Sequence, residues 1–131
     1  MQELVVNERY EIGIEPNLNR LYLEVKGCWT APEDVPRYVD DLSDAAKRLR
    51  PGFTVVTDCT TMRPHHSDVL PVHTAAQEAL MHLGLSHVAE VVPMASIRLQ
   101  TRRLSETTGM LKAEFVSVAE AEAWLDQTST S

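Results

Sequence analysis

The sequence contains few glycines, few cysteines and few basic residues, and each shortage argues against particular classes of function. Its five glycines are scattered over 131 residues, so no glycine-rich phosphate-binding loop is present. Twelve basic residues against 19 acidic ones give a net charge of -7. This balance disfavours binding to nucleic acid or to an anionic membrane, because both partners require a positive field.

The two cysteines, Cys28 and Cys59, lie far apart in the sequence. The first six residues lack the basic and apolar regions of a secretory signal, and no apolar run approaches the roughly 20 residues of a membrane-spanning helix. We therefore expect a cytoplasmic protein with no transmembrane segment. In that setting both cysteines are expected to be reduced and buried as small apolar side chains.

The composition is typical of one globular domain. Hydrophobic residues make up 44% of the chain and charged residues 24%, and the length is near the commonest domain size. We assign residues 1–126 to a single domain. The last five residues, 127–131, are polar and are predicted to be a disordered tail.

Hydrophobic periodicity predicts strands and helices in alternation. Two alternating segments around a Pro-Asn turn predict an N-terminal hairpin, with a further edge strand at 4–6. Short β-branched or apolar runs predict three later strands, at 53–57, 88–92 and 112–116. The first helix is predicted from a capping box at Thr30 to Pro51-Gly52, with Pro36 as the alternative first turn. Three more helices are predicted, from the N-cap Asp68 to Gly84, over 95–108, and from a capping box at Ser117.

This order predicts an α/β fold. The sheet should have about five strands, beginning with the hairpin and continuing as strands alternating with helices. Crossover connections of this kind give a mostly parallel sheet.

Four stretches carry a resemblance to the STAS-like domains, and a closer one to the bacterial SpoIIAA-like proteins. These are the strand leading to Gly27-Cys28-Trp29-Thr30, the strand ending Val56-Thr57-Asp58, the strand Val88-Ala89-Glu90-Val91-Val92, and the close Ala121-Glu122-Ala123-Trp124-Leu125. The resemblance covers residues 10–125. It implies the STAS-like fold and a regulatory role without catalysis.

The resemblance also implies a candidate for phosphorylation. STAS-type antagonists carry a phosphoacceptor serine in an Asp-Ser-Ser-Gly stretch after a strand-end aspartate. Asp58 corresponds to that aspartate, and the matching stretch is His66-Ser67-Asp68-Val69, in which only Ser67 keeps a hydroxyl. The alternative is that Ser67 is a loop residue beside a helix cap.

The loop 58–73 collects most of the candidate site residues. It follows a predicted central strand, and open α/β sheets bind ligands at that edge. His, Cys and Asp side chains can also form a metal site, but their spacing here matches no zinc or iron motif. Adjacent His65 and His66 should point apart. The loop residues proposed for ligand binding are Asp58, Thr60, Arg63, His66 and His73.

Two further features are candidates for binding. Arg98 and Arg102 lie four residues apart, so they share a face of the predicted helix and could bind an anion; the alternative is a solvated face paired with carboxylates. Trp29, between a strand and a helix, is expected in the core, with a cleft or a subunit contact as the alternative.

We therefore expect a regulatory or binding module without enzymatic activity, cofactor or metal. It would act through a protein partner or a small lipophilic or anionic ligand, and a homodimer is left open. The lipophilic ligand follows only from the analogy between STAS-like and lipid-carrier folds. The alternative is a metal-binding or enzymatic site on the loop 58–73, although no nucleophile motif supports it.

Overall fold

A computed structural model describes residues 1–92 and 111–129 of the chain, and within these ranges six strands form one sheet. The strands lie side by side in chain order. Three α-helices are described. The elements are β1 (Gln2–Val6), β2 (Tyr10–Glu15), β3 (Arg20–Val25), α1 (Tyr38–Ala46), β4 (Thr54–Asp58), α2 (Leu70–His82), β5 (His87–Val91), β6 (Lys112–Phe115) and α3 (Val118–Ser129).

The pairing is mixed in the predicted way. The strands β1, β2 and β3 pair antiparallel, and β3, β4, β5 and β6 pair parallel. The α/β class, the N-terminal hairpin and the mostly parallel sheet are confirmed. The sheet has six strands rather than about five, because residues 2–6 form an edge strand along β2, with a bulge between Glu3 and Val5.

Side-chain alternation divides the core between the two faces of the sheet. On the first face, α1 and α2 pack over apolar residues such as Ile12, Leu23 and Val55. On the second face, α3 packs Ala121 and Leu125 over Val56, Ala89 and Val91. The first cluster is much the larger, because two helices cover that face.

Two polar contacts fasten α3 to β3. The buried guanidinium of Arg20 donates to Asp126 Oδ1 at 2.9 Å and to Thr54 Oγ1 at 3.2 Å. One turn earlier on α3, Glu122 accepts a hydrogen bond from the Tyr22 hydroxyl. Hydrogen bonds to charged groups are the stronger ones, so α3 is held by directional contacts as well as by apolar burial.

The first predicted helix starts later than its capping-box motif indicates. Thr30 is not the cap of a long helix. A short 3₁₀ turn, Pro32–Asp34, comes first. The Asp34 carboxylate accepts hydrogen bonds from the Thr30 amide and hydroxyl and from the Ala31 amide. The prolines of this segment favour a turn, and α1 begins only at Tyr38.

The second helix does not begin at the predicted N-cap, since its N-cap position is Val69. Asp68 is not the N-cap. It lies within a 3₁₀ turn, Ser67–Val69, and donates its amide to His66 Nδ1 at 3.1 Å. Pro71 does fall in the first turn of α2, where its missing amide proton costs no hydrogen bond. Gly84 follows the helix with a φ of 105°, a backbone conformation that favours glycine.

The C-terminal helix extends beyond the predicted domain boundary. It continues through Ser129, three residues into the segment assigned to a disordered tail. The Thr128 hydroxyl donates to the Leu125 carbonyl at 2.8 Å, which satisfies one of the last carbonyls of the helix. At its start, Ser117 Oγ accepts from the Glu120 amide, as its capping-box motif predicts.

The remaining sequence-based predictions concern the two cysteines, the helix over 95–108 and the membrane span. Cys59 is buried as expected, whereas Cys28 is exposed, and both thiols are free. The predicted helix over 95–108 lies outside the described residues. Among the helices that are described, none combines the length and the hydropathy needed to cross a bilayer.

Candidate functional site

The chain segments that follow β3 and β4 are joined by backbone hydrogen bonds. Gly27 is central to this connection. Its amide donates to the Thr61 carbonyl at 3.1 Å, and its carbonyl accepts from the Arg63 amide at 3.0 Å. Its φ of 66° lies in the left-handed region, which glycine adopts without strain. The loop after β4 is thereby held against the first face of the sheet.

Trp29 is the centre of an aromatic cluster on that face. It is fully buried, and its indole Nε1 donates to the carbonyls of Arg9 and Lys26. The rings of His65 and His73 stack on it at centroid distances of 4.7 and 5.1 Å. Tyr38 meets it edge-on at 4.8 Å. Trp29 is a core residue, and it fixes the orientation of two imidazoles.

The two histidines form a hydrogen-bonded chain. His65 Nε2 lies 3.2 Å from the Gly27 carbonyl oxygen, and His65 Nδ1 lies 2.9 Å from His73 Nε2. Burial lowers the pKa of His65 to about 4. Burial, together with the neighbouring His65, lowers the pKa of His73 to about 3. Both imidazoles are therefore neutral at pH 7.

Next to His73 is a cavity of about 70 Å³ between the sheet and the two helices of the first face. Most of its wall is aliphatic, contributed by Leu23, Val25, Leu42, Val55, Leu80 and Val88. Six polar or polarisable side chains also line it: Tyr38, Thr57, Cys59, His73, Gln77 and Glu90. Apolar walls with a few convergent polar groups are typical of small-molecule sites.

Glu90 is the charged group of this cavity. It is 4% exposed, and its Oε1 lies 3.6 Å from Lys112 Nζ, itself buried on β6. The pKa of the Cys59 thiol is raised well above its ordinary value by burial, then by the charges of Glu90 and Asp58. Burial also raises the pKa of Tyr38, with smaller contributions from Cys59, Tyr10 and Glu90. Cys59 is consequently a protonated thiol and a poor nucleophile at neutral pH.

A second cleft, of about 180 Å³, lies on the opposite face beside the start of α3. Four carboxylate residues line it: Glu3, Glu11, Glu24 and Asp58. Burial raises the pKa of Glu24, and the charges of Glu11 and Asp58 add to that effect. This cleft therefore has a negative potential.

The structure separates the residues that the sequence groups into one loop site. His73 lines the cavity, whereas Asp58 faces the acidic cleft on the other side of the sheet and accepts a hydrogen bond from the Thr60 amide. Four other candidates are exposed at the surface: Thr60, Arg63, His66 and Ser67. Arg98 and Arg102 lie outside the described residues.

The metal-site alternative concerns the His, Cys and Asp side chains of the loop 58–73. Within residues 1–92 and 111–129, no three His, Cys, Asp or Glu side chains come together as a metal site would require. As expected, His65 points inward and His66 outward. Phosphorylation of Ser67 stays a prediction, made for an exposed side chain at the start of a short turn.

Three residues in or beside the cavity are not predicted from the sequence as site residues. His65 and Tyr38 are not among the candidate residues that the sequence predicts, although His65 and His66 are expected to point apart. Glu90 was counted only as part of an apolar strand, although a single carboxylate within Val88-Ala89-Glu90-Val91-Val92 is a signal of its own. Charged residues are almost never fully buried unless they are paired.

Comparison with known proteins finds similarity in three-dimensional structure and none in sequence families. No protein-family model matches the sequence, and the search of curated proteins finds no match. An uncharacterized protein of the DUF3478 family from Shewanella loihica PV-4, described as having a SpoIIAA-like fold, aligns over 93% of this chain and 98% of its own. The TM-score is 0.67 and the sequence identity 19%. This chain has a SpoIIAA-like fold.

At this level of identity the comparison establishes the SpoIIAA-like fold alone. The fold expected from the four sequence stretches is confirmed. A non-enzymatic regulatory module is compatible with that fold. The function has to be argued from the cavity.

Proposed function

We propose that this protein is a non-enzymatic binding module whose ligand is a small, largely apolar molecule held in the cavity beside His73. The observation that carries the proposal is the composition of the cavity wall, in which aliphatic side chains surround a few polar groups. Sites of this kind bind by burying apolar surface and orient the ligand through the polar groups.

The size of the cavity limits what it can hold. An engineered apolar cavity of about 150 Å³ binds benzene, and the cavity here is about 70 Å³. The ligand is therefore either a molecule smaller than benzene or the end of a longer chain. The mostly aliphatic wall favours the lipophilic ligand over the anionic one, because an anion loses its hydration when it is buried against apolar side chains.

The absence of catalysis in this proposal rests on the state of the reactive groups. The Cys59 thiol has a raised pKa, and His73 Nε2 is engaged with His65. Nucleophilic catalysis needs a nucleophile activated by an adjacent base or by a lowered pKa. The raised pKa of Cys59 is the opposite of the second condition, and within residues 1–92 and 111–129 no hydrogen bond joins its thiol to a base. A protein partner stays a prediction.

The test is binding of small apolar probes, with xenon as the simplest one, followed by amide NMR of the isotope-labelled protein. We expect perturbed amides to map to α1, α2 and β4 around the cavity. Ala76→Leu should fill the cavity and abolish these perturbations, since Ala76 is buried in its wall. The matched control is Ala75→Leu, one position away on the exposed side of α2, which should keep binding.

Two results would overturn the proposal. One is perturbation confined to the second face of the sheet in the wild-type protein, and the other is equal probe binding by the Ala76→Leu and Ala75→Leu variants. Xenon is used on the wild-type chain so that the test stands even if the Ala76→Leu variant fails to fold.

A further inference from the structure

The hydrogen-bond chain through the two histidines has a defined direction. The Gly27 carbonyl can only accept, so His65 Nε2 carries the proton and donates to it. A neutral imidazole has one N–H, so His65 Nδ1 is an acceptor and His73 Nε2 must donate to it. By the same rule His73 Nδ1 is unprotonated.

His73 Nδ1 is therefore a hydrogen-bond acceptor with no partner among the described residues. His73 lines the cavity, and its ring is fixed by stacking on Trp29 at an interplanar angle of 8°. A rigid acceptor of this kind favours a ligand that donates a hydrogen bond, because an acceptor left without a partner on ligand binding loses its hydration.

Tyr38 favours a ligand that also accepts a hydrogen bond. Its ring lies 6.0 Å from that of His73, and its hydroxyl has no hydrogen-bond partner in the described ranges. A phenol can donate as well as accept. The rest of the wall is mostly aliphatic, so a ligand with a charged group would lose its hydration there without compensation.

We propose that the cavity ligand is a neutral alcohol whose hydroxyl donates to His73 Nδ1 and accepts from Tyr38. The alkyl part would contact the aliphatic wall. This inference rests on the proposed function, since it names the ligand class of the same cavity. It adds a selectivity that apolar burial alone does not produce.

Two isomers test the selectivity without a change in atom count. 1-Propanol can donate and accept, whereas its isomer ethyl methyl ether can only accept, and both are smaller than benzene. We expect 1-propanol to bind the wild-type protein roughly three- to tenfold more tightly, which is what one net hydrogen bond contributes. Butyrate, which carries the same propyl group as 1-propanol, should bind more weakly than either isomer because its carboxylate loses its hydration against the aliphatic wall.

A spectroscopic readout identifies the acceptor. In ¹⁵N-labelled protein at pH 7, both imidazoles should show the Nε2–H tautomer. 1-Propanol should shift the His73 Nδ1 resonance, and ethyl methyl ether should leave it nearly unchanged. His65 Nδ1 already accepts a hydrogen bond, so it acts as an internal control.

Tyr38→Phe tests the second contact. It should weaken both isomers by a similar factor and preserve their ratio, because both accept from Tyr38. The control is Tyr22→Phe on the opposite face of the sheet, which should change neither affinity.

Failure of the inference differs from failure of the proposed function. Equal affinity for the two isomers, an Nδ1–H tautomer of His73, or tighter binding of butyrate would overturn the alcohol proposal while leaving a binding cavity. If xenon and both isomers all fail to perturb the cavity amides of the wild-type protein, the proposed function fails as well.

Discussion

The two faces of the sheet accommodate polar groups by different means. Under α1 and α2, the imidazoles of His65 and His73 are buried against Trp29 and kept neutral. Under α3, acidic and basic side chains are paired, as in the contact between Arg20 and Asp126, or line a partly solvated cleft.

This difference indicates which face can hold an uncharged ligand. Neutral polar groups in an apolar wall can form hydrogen bonds without the large desolvation cost of a buried charge. The acidic cleft beside α3 has carboxylates in mutual repulsion, so it offers little to a small apolar molecule.

The largest effect is expected from truncation of the two tryptophans. Trp29→Ala should lower the free energy of unfolding by about 3–5 kcal/mol, as large buried aromatics do, because Trp29 is fully buried. Trp124→Ala, on the other face, should cost clearly less, since Trp124 is only partly buried. Urea unfolding followed by circular dichroism measures both. Similar costs for the two variants would contradict the proposed difference between the faces.

Acidification should weaken the first face through the histidine pair. The folded-state pKa values, about 4 for His65 and about 3 for His73, lie below the unfolded value of about 6.5. Unfolding therefore takes up protons. The stabilising contribution of the pair is complete above about pH 6.5 and is lost as the pH falls toward 4.

The slope of unfolding free energy against pH measures this uptake. His73→Gln should reduce the slope near pH 5.5 by about 1.4 kcal/mol per pH unit at most, the value for one proton. His82→Gln, at the exposed end of the same helix, is the control and should leave the slope close to that of the wild type. An unchanged slope in the His73→Gln variant would count against a neutral buried pair.

On the second face, loss of one ion-pair partner should have an intermediate effect. Asp126→Ala removes the carboxylate that accepts from Arg20 at 2.9 Å and leaves a buried guanidinium with Thr54. We expect a loss of about 1–2 kcal/mol in the free energy of unfolding. Asp40→Ala breaks an exposed pair with Arg37 at 3.7 Å and should cost less than about 0.5 kcal/mol. Equal losses would mean that burial of Arg20 does not matter.

The fold could be predicted because it follows from local patterns. Alternation in the segment before Gly27 places Leu21, Leu23 and Val25 on one face, and the structure buries all three. Crossover connections then dictate a parallel sheet. The helix starts were less predictable, because a short 3₁₀ turn precedes each helix. Asp34 and His66 accept the hydrogen bonds of those turns, in place of the expected capping residues.

The site was less predictable than the fold because its residues meet only in three dimensions. Gly27, His65 and His73 form one hydrogen-bonded chain, although His73 lies 46 positions after Gly27 in the sequence. Asp58 ends β4 and Cys59 follows it directly, yet the two side chains line pockets on opposite faces of the sheet. Periodicity along one segment gives no information on such contacts between segments.

The smallest predicted effect has the opposite sign to that of the histidine pair. Burial, with the charges of Glu11 and Asp58, raises the pKa of Glu24 in the acidic cleft, so its ionised form is destabilising at pH 7. Glu24→Gln should therefore stabilise the protein, by less than about 0.5 kcal/mol because solvent screens the cleft. The gain should vanish as the pH falls through the raised pKa, since wild-type Glu24 is then neutral as well.

Urea unfolding at several pH values measures this gain, with Glu8→Gln as the exposed control. A destabilised Glu24→Gln variant at pH 7 would show that the hydrogen bond from Thr61 outweighs the repulsion. Because the histidines lose stabilisation on acidification and Glu24 is relieved of repulsion, opposite pH trends in the His73→Gln and Glu24→Gln variants would assign each trend to its own face of the sheet.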